Sequence, residues 1–262
     1  MSLDMSLDVK NIVCSYFYDL GDAINLYNLN NDHQNNIRIT NLYDKKSKYI
    51  NRLNQQIIEH NKYRYVEQLY ACDNKQIKNV NNMKITLKKL NCGSDCGIDQ
   101  NGICELNLIE LYAHGNEKIK NVNYMKKTLK ILNCSDDSGI DQNGILELNL
   151  IELYATGNGQ IKNVNHMKNT LKILYCSHHC GIDQNGILEL NLIELCASNN
   201  KRIKNVNHMK NTLKKLDCGY KCGIDQKGIS ELNLIELYAI CNKKIKNVNH
   251  MKNTIIRSYI YS

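Results

Sequence analysis

Glu110, Glu152, Glu194 and Glu236 recur every 42 residues, and two places after them stand Tyr112, Tyr154, Cys196 and Tyr238. Carboxylates at so regular a spacing occupy one repeated strand position. They make a row of exposed charge, not the convergent acid–base pair that hydrolytic chemistry needs. With Tyr70 upstream and Tyr175 in an intervening segment, the tyrosines add large amphipathic contact area at low rotamer cost. A row of this kind favours a basic partner surface. The run Cys176, His178, His179, Cys180 carries metal-ligating types but occurs once. A structural zinc needs four convergent ligands, and Cys176 belongs to an inward strand position, away from the turn that holds Cys180. No metal site and no cofactor are expected. There is no phosphate-binding glycine loop and no nucleophile with a positioned base, so the chain reads as a non-enzyme.

The elements that position these rows follow from a repeat. Gly97-Ile98-Asp99-Gln100-Asn101-Gly102-Ile103 returns, nearly unchanged, from Gly139, Gly181 and Gly223, again 42 residues apart. A fixed period of this length specifies stacked units instead of one closed core. The period divides into halves of 21: Leu108, Leu129, Leu150, Leu171, Leu192, Leu213 and Leu234 keep that spacing, with Val66 and Leu87 before them. Each begins Leu-x-x-Leu-x-small, a short strand with alternate side chains on one side. In the first half-type Asn74, Asn116, Asn158, Asn200 and Asn242 follow. Their side chains are expected to form a ladder onto backbone groups where each coil turns. Ile161, Val164 and Met167, three apart, predict a short helical or 3₁₀ turn. Asn81, Asn123, Asn165, Asn207 and Asn249 align with Gly102, Gly144, Gly186 and Gly228. Those two residue types tolerate left-handed backbone best, so a sharp bend is expected there.

This pattern resembles the leucine-rich repeat over about three quarters of the chain. The resemblance implies an α/β solenoid: a horseshoe with a parallel sheet on the concave face, short helical or 3₁₀ turns on the convex face, and a helical N-terminal cap. Residues 63–262 would be the solenoid, with nine units of about 21 residues and a partial C-terminal strand, and residues 1–62 the helical segment before it. The half with Ile182-Asp183-Gln184-Asn185-Gly186-Ile187 and Leu190 is similar to the cysteine-containing subtype found in F-box substrate receptors, its Cys96, Cys180 and Cys222 one place late. Leucine-rich repeats bind proteins on the concave sheet. The contact residues implied are Tyr70, Tyr112, Tyr154, Tyr175 and Tyr238 with Glu110, Glu152, Glu194 and Glu236.

The N-terminal segment carries its own resemblance. Val9, Ile12, Val13 and Tyr16 lie on one helical face, and Asp19 to Asn30 offers a second amphipathic stretch. The pattern resembles a degenerate F-box that lacks the usual proline, with Ser6 before Leu7. It implies that Leu7, Val9, Ile12, Val13, Tyr16, Phe17 and Leu26 hold a Skp-type ligase adaptor, making the chain a substrate receptor of a ubiquitin ligase. The alternative is a plain cap, for which Ile50, Leu53, Ile57 and Ile58 serve, on a stand-alone binding or host-protein-blocking module.

Composition sets the remaining bounds. Net charge is +8, with lysines such as Lys120, Lys162, Lys204 and Lys246 once per unit. They read as a solubilising outer face, and no aromatic–basic stacking motif supports nucleic-acid binding. No apolar run approaches the ~20 residues of a membrane span, and Met1 to Asp8 lacks the layout of a signal peptide. With free cysteines used as small buried hydrophobes, as at Cys92, Cys134, Cys176 and Cys218, a reducing cytoplasm is expected. Proline and tryptophan are absent. Together with the Gly-Ile-Asp-Gln phrase, this resembles repeat proteins of giant DNA viruses of amoebae, which would make the cytoplasm that of a host cell. Ile255 to Tyr261 begins a tenth strand without a polar closing unit, so weak self-association through that edge is expected.

Overall fold

The computed structural model describes residues 39–42 and 53–259. They fall in two compact units, one reaching Lys118 and the other beginning at Ile119. The F-box-like positions Leu7 to Leu26 lie outside the described residues, as does Ile50.

In the first unit four strands pair in chain order, all parallel: β1 (Asn41–Leu42), β2 (Gln68–Tyr70), β3 (Lys89–Asn91) and β4 (Glu110–Tyr112). The second unit has seven: β5 (Ile131–Asn133), β6 (Glu152–Tyr154), β7 (Ile173–Tyr175), β8 (Glu194–Cys196), β9 (Lys215–Asp217), β10 (Glu236–Tyr238) and β11 (Arg257–Tyr259). These also pair parallel with their chain neighbours. From β2 to β10, each three-residue strand buries its middle Leu, with Leu153 and Leu174 fully covered, and turns its first and third residues to the open side. Each coil then returns through a 3₁₀ turn, Asn165–Met167 in one half-type and Asn185–Ile187 in the other. This is the leucine-rich-repeat coil that the spacing specifies.

Two side-chain ladders fasten coil to coil, and a third closes the turn within a coil. Asn158 Nδ2 donates to the carbonyls of Cys134 (2.9 Å) and Ile140 (3.0 Å), while its Oδ1 accepts from the amides of Gln160 and Ile161. Asn200 and Asn242 repeat the carbonyl bonds in their own coils. Gln142 accepts from the amides of Lys162 and Asn163 and donates to the Asn163 carbonyl, and Gln184 and Gln226 do the same one coil on. Asp141, Asp183 and Asp225 cap the amide of the glycine three places later. The recurring phrase is thus a device for joining neighbouring coils.

The expected left-handed bend is elsewhere. Gly144 and Gly186 are needed because a Cβ there would lie 2.1 Å from the carbonyl oxygen of Lys120 or Lys162. The residues with positive φ sit on the rim just past each strand: Asp73, Ser94, Gly115, Asp136, Gly157, His178, Asn199, Tyr220 and Cys241. Only two of these nine are glycine, which hides the position from a search by residue type. The convex histidines also differ from the solvated residues expected. His166 and His208 place Nε2 at 3.1 Å from the Ile145 and Ile187 carbonyls, and burial pushes both below the usual histidine range.

The described part of the N-terminal segment joins the same scheme. Asn54 caps the short helix α1 (Gln55–Ile58), and Ile39, Leu42, Leu53 and Ile58 are buried. Gln55 makes the glutamine-ladder bonds to Lys78 and Asn79, and the Leu53 carbonyl accepts from Asn74. The strand β1 was not expected in a segment read as helical. It precedes β2 by 27 residues in register, not 21, so the period does not reveal it.

Replacing Asn158 by Leu strands buried carbonyls and amides. It should lower stability by about 3 kcal/mol or more in urea unfolding, at about 1–3 kcal/mol per unpaired buried group. Asn149→Ala, at an exposed site, should stay within about 0.5 kcal/mol. Gly186→Ala should cost more than Gly157→Ala, because the first meets backbone at 2.1 Å whereas the second meets only the left-handed penalty of about 1–2 kcal/mol. Neutral His166 and His208 are favoured by folding. Their contribution is full above the unfolded-state value and is lost as pH falls to the depressed folded one. The thermal midpoint should therefore drop between about pH 7 and 5, and drop less in the His166→Gln/His208→Gln variant.

Candidate functional site

Strand position decides which side chains face out. The first and third residues of each strand look away from the core, and all nine tyrosines and glutamates singled out from the sequence stand there, half-buried: Glu110, Glu152, Glu194 and Glu236 in first place, Tyr70, Tyr112, Tyr154, Tyr175 and Tyr238 in third. Within a strand the two rows bond. Tyr112 Oη donates to Glu110 at 3.0 Å and Tyr154 Oη to Glu152 at 2.8 Å. Across strands, Tyr175 Oη donates to Glu194 at 2.5 Å. Burial, and after it this carboxylate, raises the Tyr175 phenol well above its ordinary value, which keeps it a neutral donor. The rings of Tyr154 and Tyr175 lie 4.8 Å apart, as do those of Tyr238 and Tyr259. Tyr259 extends the row and was not singled out.

The cation environment differs between the two units. In the first, Lys89 stands beside Glu110 in register. Its ammonium lies 3.0 Å from the Glu110 carboxylate and 5.3 Å from the centre of the Tyr112 ring. In the second unit, Ile131 and Ile173 flank Glu152, and Ile173 and Lys215 flank Glu194. Neither Glu152 nor Glu194 forms an ion pair among the described residues. Glu236 has Lys215 at 3.7 Å and Arg257 at 3.5 Å.

The tyrosine row is interrupted where Cys196 and Asp217 take the third position. Their short side chains leave a notch of about 330 Å³ between Tyr175 and Tyr238, with Glu194, Lys215 and Glu236 along it. Three carboxylates face one ammonium there. The Cys196 thiol contacts Ser177 Oγ at 3.2 Å and Asp217 at 3.4 Å, and burial pushes it up to about 11. It is a protonated donor at neutral pH, not a nucleophile. The notch was invisible from the sequence, because it exists only where two substitutions 21 residues apart become neighbours.

The remaining cysteines divide by position. Cys92, Cys134, Cys176 and Cys218 are fully buried at the inward strand end, and desolvation raises all four thiols. His178, His179 and Cys180 line one rim cavity, whereas Cys176 is fully buried at the inward strand end and does not reach it. Among the described residues no three ligand side chains converge as a metal site, and no helix is long and apolar enough to cross a membrane.

No protein-family model matches this chain, and no curated protein does. Among solved structures, the functional domain of InlJ from Listeria monocytogenes, described as including a cysteine ladder, is similar at a TM-score of 0.49 and 20% identity. The likeness covers 78% of this chain and 54% of that one, so this chain spans about half that protein's length. A chain of the Rad7–Elc1 complex in yeast is similar at 0.48 and 14% identity, over 97% and 88% of the two chains. The repeat architecture itself stands on the coils described above.

Cysteine accessibility checks this placement. In native protein, iodoacetamide followed by peptide mass spectrometry should modify exposed Cys104 and Cys241 first. Cys92, Cys134, Cys176 and Cys218 should react only after unfolding, and Cys196 slowly in between.

Proposed function

We propose that this protein is a protein-interaction scaffold whose open sheet face takes a basic surface of its partner. The observation that carries the reading is the difference between Lys89 and its counterparts. In the first unit the chain's own lysine is held by a carboxylate and a tyrosine face. In the second unit Ile131 and Ile173 occupy the corresponding places before Glu152 and Glu194, which keep their tyrosines without an ion pair among the described residues. A partner's lysine or arginine would complete the set, gaining a charge-assisted bond and ring contact in a partly desolvated place. Half-buried carboxylates of this kind give register and on-rate as much as affinity.

The finer reading makes the scaffold a substrate receptor. Residues Leu7, Val9, Ile12, Val13, Tyr16, Phe17 and Leu26 would hold a Skp-type adaptor, and the sheet would bring a target near the ligase by raising its effective concentration. What supports it is the F-box-like spacing, together with the covering of the first coil by Ile39, Leu42, Leu53 and Ile58, which already meets the need for a cap. The resemblance to viral repeat proteins and the cytoplasmic location belong to this finer reading. The alternative, a binding or blocking module without a ligase, keeps the same sheet surface.

An arginine-rich peptide followed by fluorescence anisotropy tests the surface. Glu152→Gln with Glu194→Gln should weaken it tenfold or more. Ile173→Lys, which restores an internal cation, should compete with it. Equal binding by all variants would rule the sheet surface out. Size-exclusion chromatography with light scattering tests the adaptor. A one-to-one complex lost in Ile12→Asp/Tyr16→Asp supports the receptor, and no complex from folded protein leaves the stand-alone module.

A further inference from the structure

The loops that follow β7, β8 and β9 enclose a cavity of about 450 Å³ on the rim of the second unit, lined by His178, His179, Lys201, Arg202 and Lys221 among others. No carboxylate lines it. None of the three cations forms an ion pair among the described residues, unlike Lys126, Lys168 and Lys210 on the convex side, each paired with a glutamate one coil on. Arg202 is oriented by donating one N–H to the Gly181 carbonyl at 3.2 Å, which leaves the rest of its fork free to bond elsewhere. Charge along this rim changes sign. Asp136 and Asp137 follow β5, Gly159 and Gln160 follow β6, His178 and His179 follow β7, and the cations begin after β8 and continue to Lys243 and Lys244 after β10. A second cavity of about 270 Å³ adjoins it, shared by His178 and Lys221 with Asn199 and the exposed Tyr220.

We propose that this rim cavity binds a phosphoryl dianion, carried by a phosphorylated side chain of a protein partner. Three uncompensated cations and two imidazoles exceed what a single carboxylate would neutralise. They match the charge and the three acceptor oxygens of a phosphoryl group, with Arg202 supplying bidentate geometry. The volume admits one such group with the side chain that bears it, and the adjoining cavity takes apolar atoms against Tyr220. The loops begin two or three residues beyond Tyr175, Cys196 and Asp217, so the cavity is roughly 10 Å along the strands from the notch. A partner segment would then lay a basic side chain in the notch and a phosphorylated one at the rim. A nucleic-acid strand fits less well, because its next phosphates would meet Glu194, Asp217 and Glu236. The assignment to a protein partner rests on the protein-binding reading of the sheet; the dianion site does not.

The full chain is titrated, by amide NMR and calorimetry, with inorganic phosphate, with a phosphoserine peptide carrying a nearby arginine, and with the same peptide unphosphorylated. Saturable one-to-one binding of phosphate and phosphopeptide is expected. Lys201→Glu/Arg202→Glu or Lys221→Glu should reduce it at least tenfold, and the convex control Lys162→Glu/Lys204→Glu should not. All these side chains are exposed, and circular dichroism checks that the variants fold. The unphosphorylated peptide should bind at least tenfold more weakly. No saturation by either phosphate or phosphopeptide, or equal loss in the convex control, would overturn the site. Phosphate binding without preference for the phosphopeptide would sustain the dianion site and overturn only the protein attribution. Tighter binding of a single-stranded RNA through the same residues would overturn that attribution as well.

Discussion

A buried asparagine that bonds the backbone of the coil before it is the interaction on which the rest of each unit depends. Strands of three residues provide too few ladder bonds to hold a coil, and the turns between them leave carbonyls inside with no sheet or helix partner. Asn158 meets two of those carbonyls and two amides of its own turn, so one side chain satisfies what would otherwise be four buried unpaired groups. Because the bonds cross to the preceding coil, they also set where the next coil lies. The glutamine ladder does the same on the other side of the coil, with three bonds from Gln142 to a single peptide segment.

Coil separation then follows from what is absent. Gly186 brings its backbone against the Lys162 carbonyl with no space for a methyl group, and the Val164 amide bonds the Gly186 carbonyl at 3.0 Å. Coils joined in this way approach closely, and equivalent side chains within the second unit therefore line up. That alignment makes rows out of residues 21 apart in sequence. Leu153, Leu174 and Leu195 fill the interior, and Glu152 and Tyr154 come to stand beside Ile173 and Tyr175. A binding surface is here a consequence of backbone spacing. A change in one coil alters a single rung, which is how Cys196 and Asp217 open a notch between Tyr175 and Tyr238.

Legibility in the sequence tracks how narrowly a position restricts residue type. The buried leucines, the asparagine ladder and the 3₁₀ turns could be read directly, because only one or two side chains satisfy each. The left-handed rim position could not: Asp73, Ser94, His178, Tyr220 and Cys241 all accept it, since the rest of the coil forces a conformation that none of them favours alone. Gly144 and Gly186 were legible as constrained but for the wrong reason, since a glycine looks the same whether φ or a neighbour's carbonyl demands it. The chemistry on the surface was partly legible. Glu152 and Tyr154 announce themselves by period, whereas the rim cations Lys201, Arg202 and Lys221 replace Gly159, Gln160 and His179 of the repeat before and acquire meaning only when three loops close around one cavity.

The same contrast bears on function. Many residues that repeat without change, such as Asn158, Gln142 and Gly186, touch the backbone of a neighbouring coil, so their constancy belongs to stability and says nothing about partners. What distinguishes one coil from the next lies on the open face and the rim, where no packing constraint operates and drift alone would scatter charges of both signs. The second unit is not scattered in that way. Its open face carries Glu152, Glu194, Asp217 and Glu236 against Lys215 and Arg257, while its rim from β8 onward gathers Lys201, Arg202, Lys221, Lys243 and Lys244. Among the described residues no face carboxylate pairs with a rim cation, although Glu236 pairs with Lys215 and Arg257 on its own face. The strand-to-rim turn, left-handed at His178, Asn199 and Tyr220, points the two sets to different surroundings. A partner with charges in the complementary order would be accepted in one direction along the strands and rejected in the other, because reversing it sets like charge against like at both places.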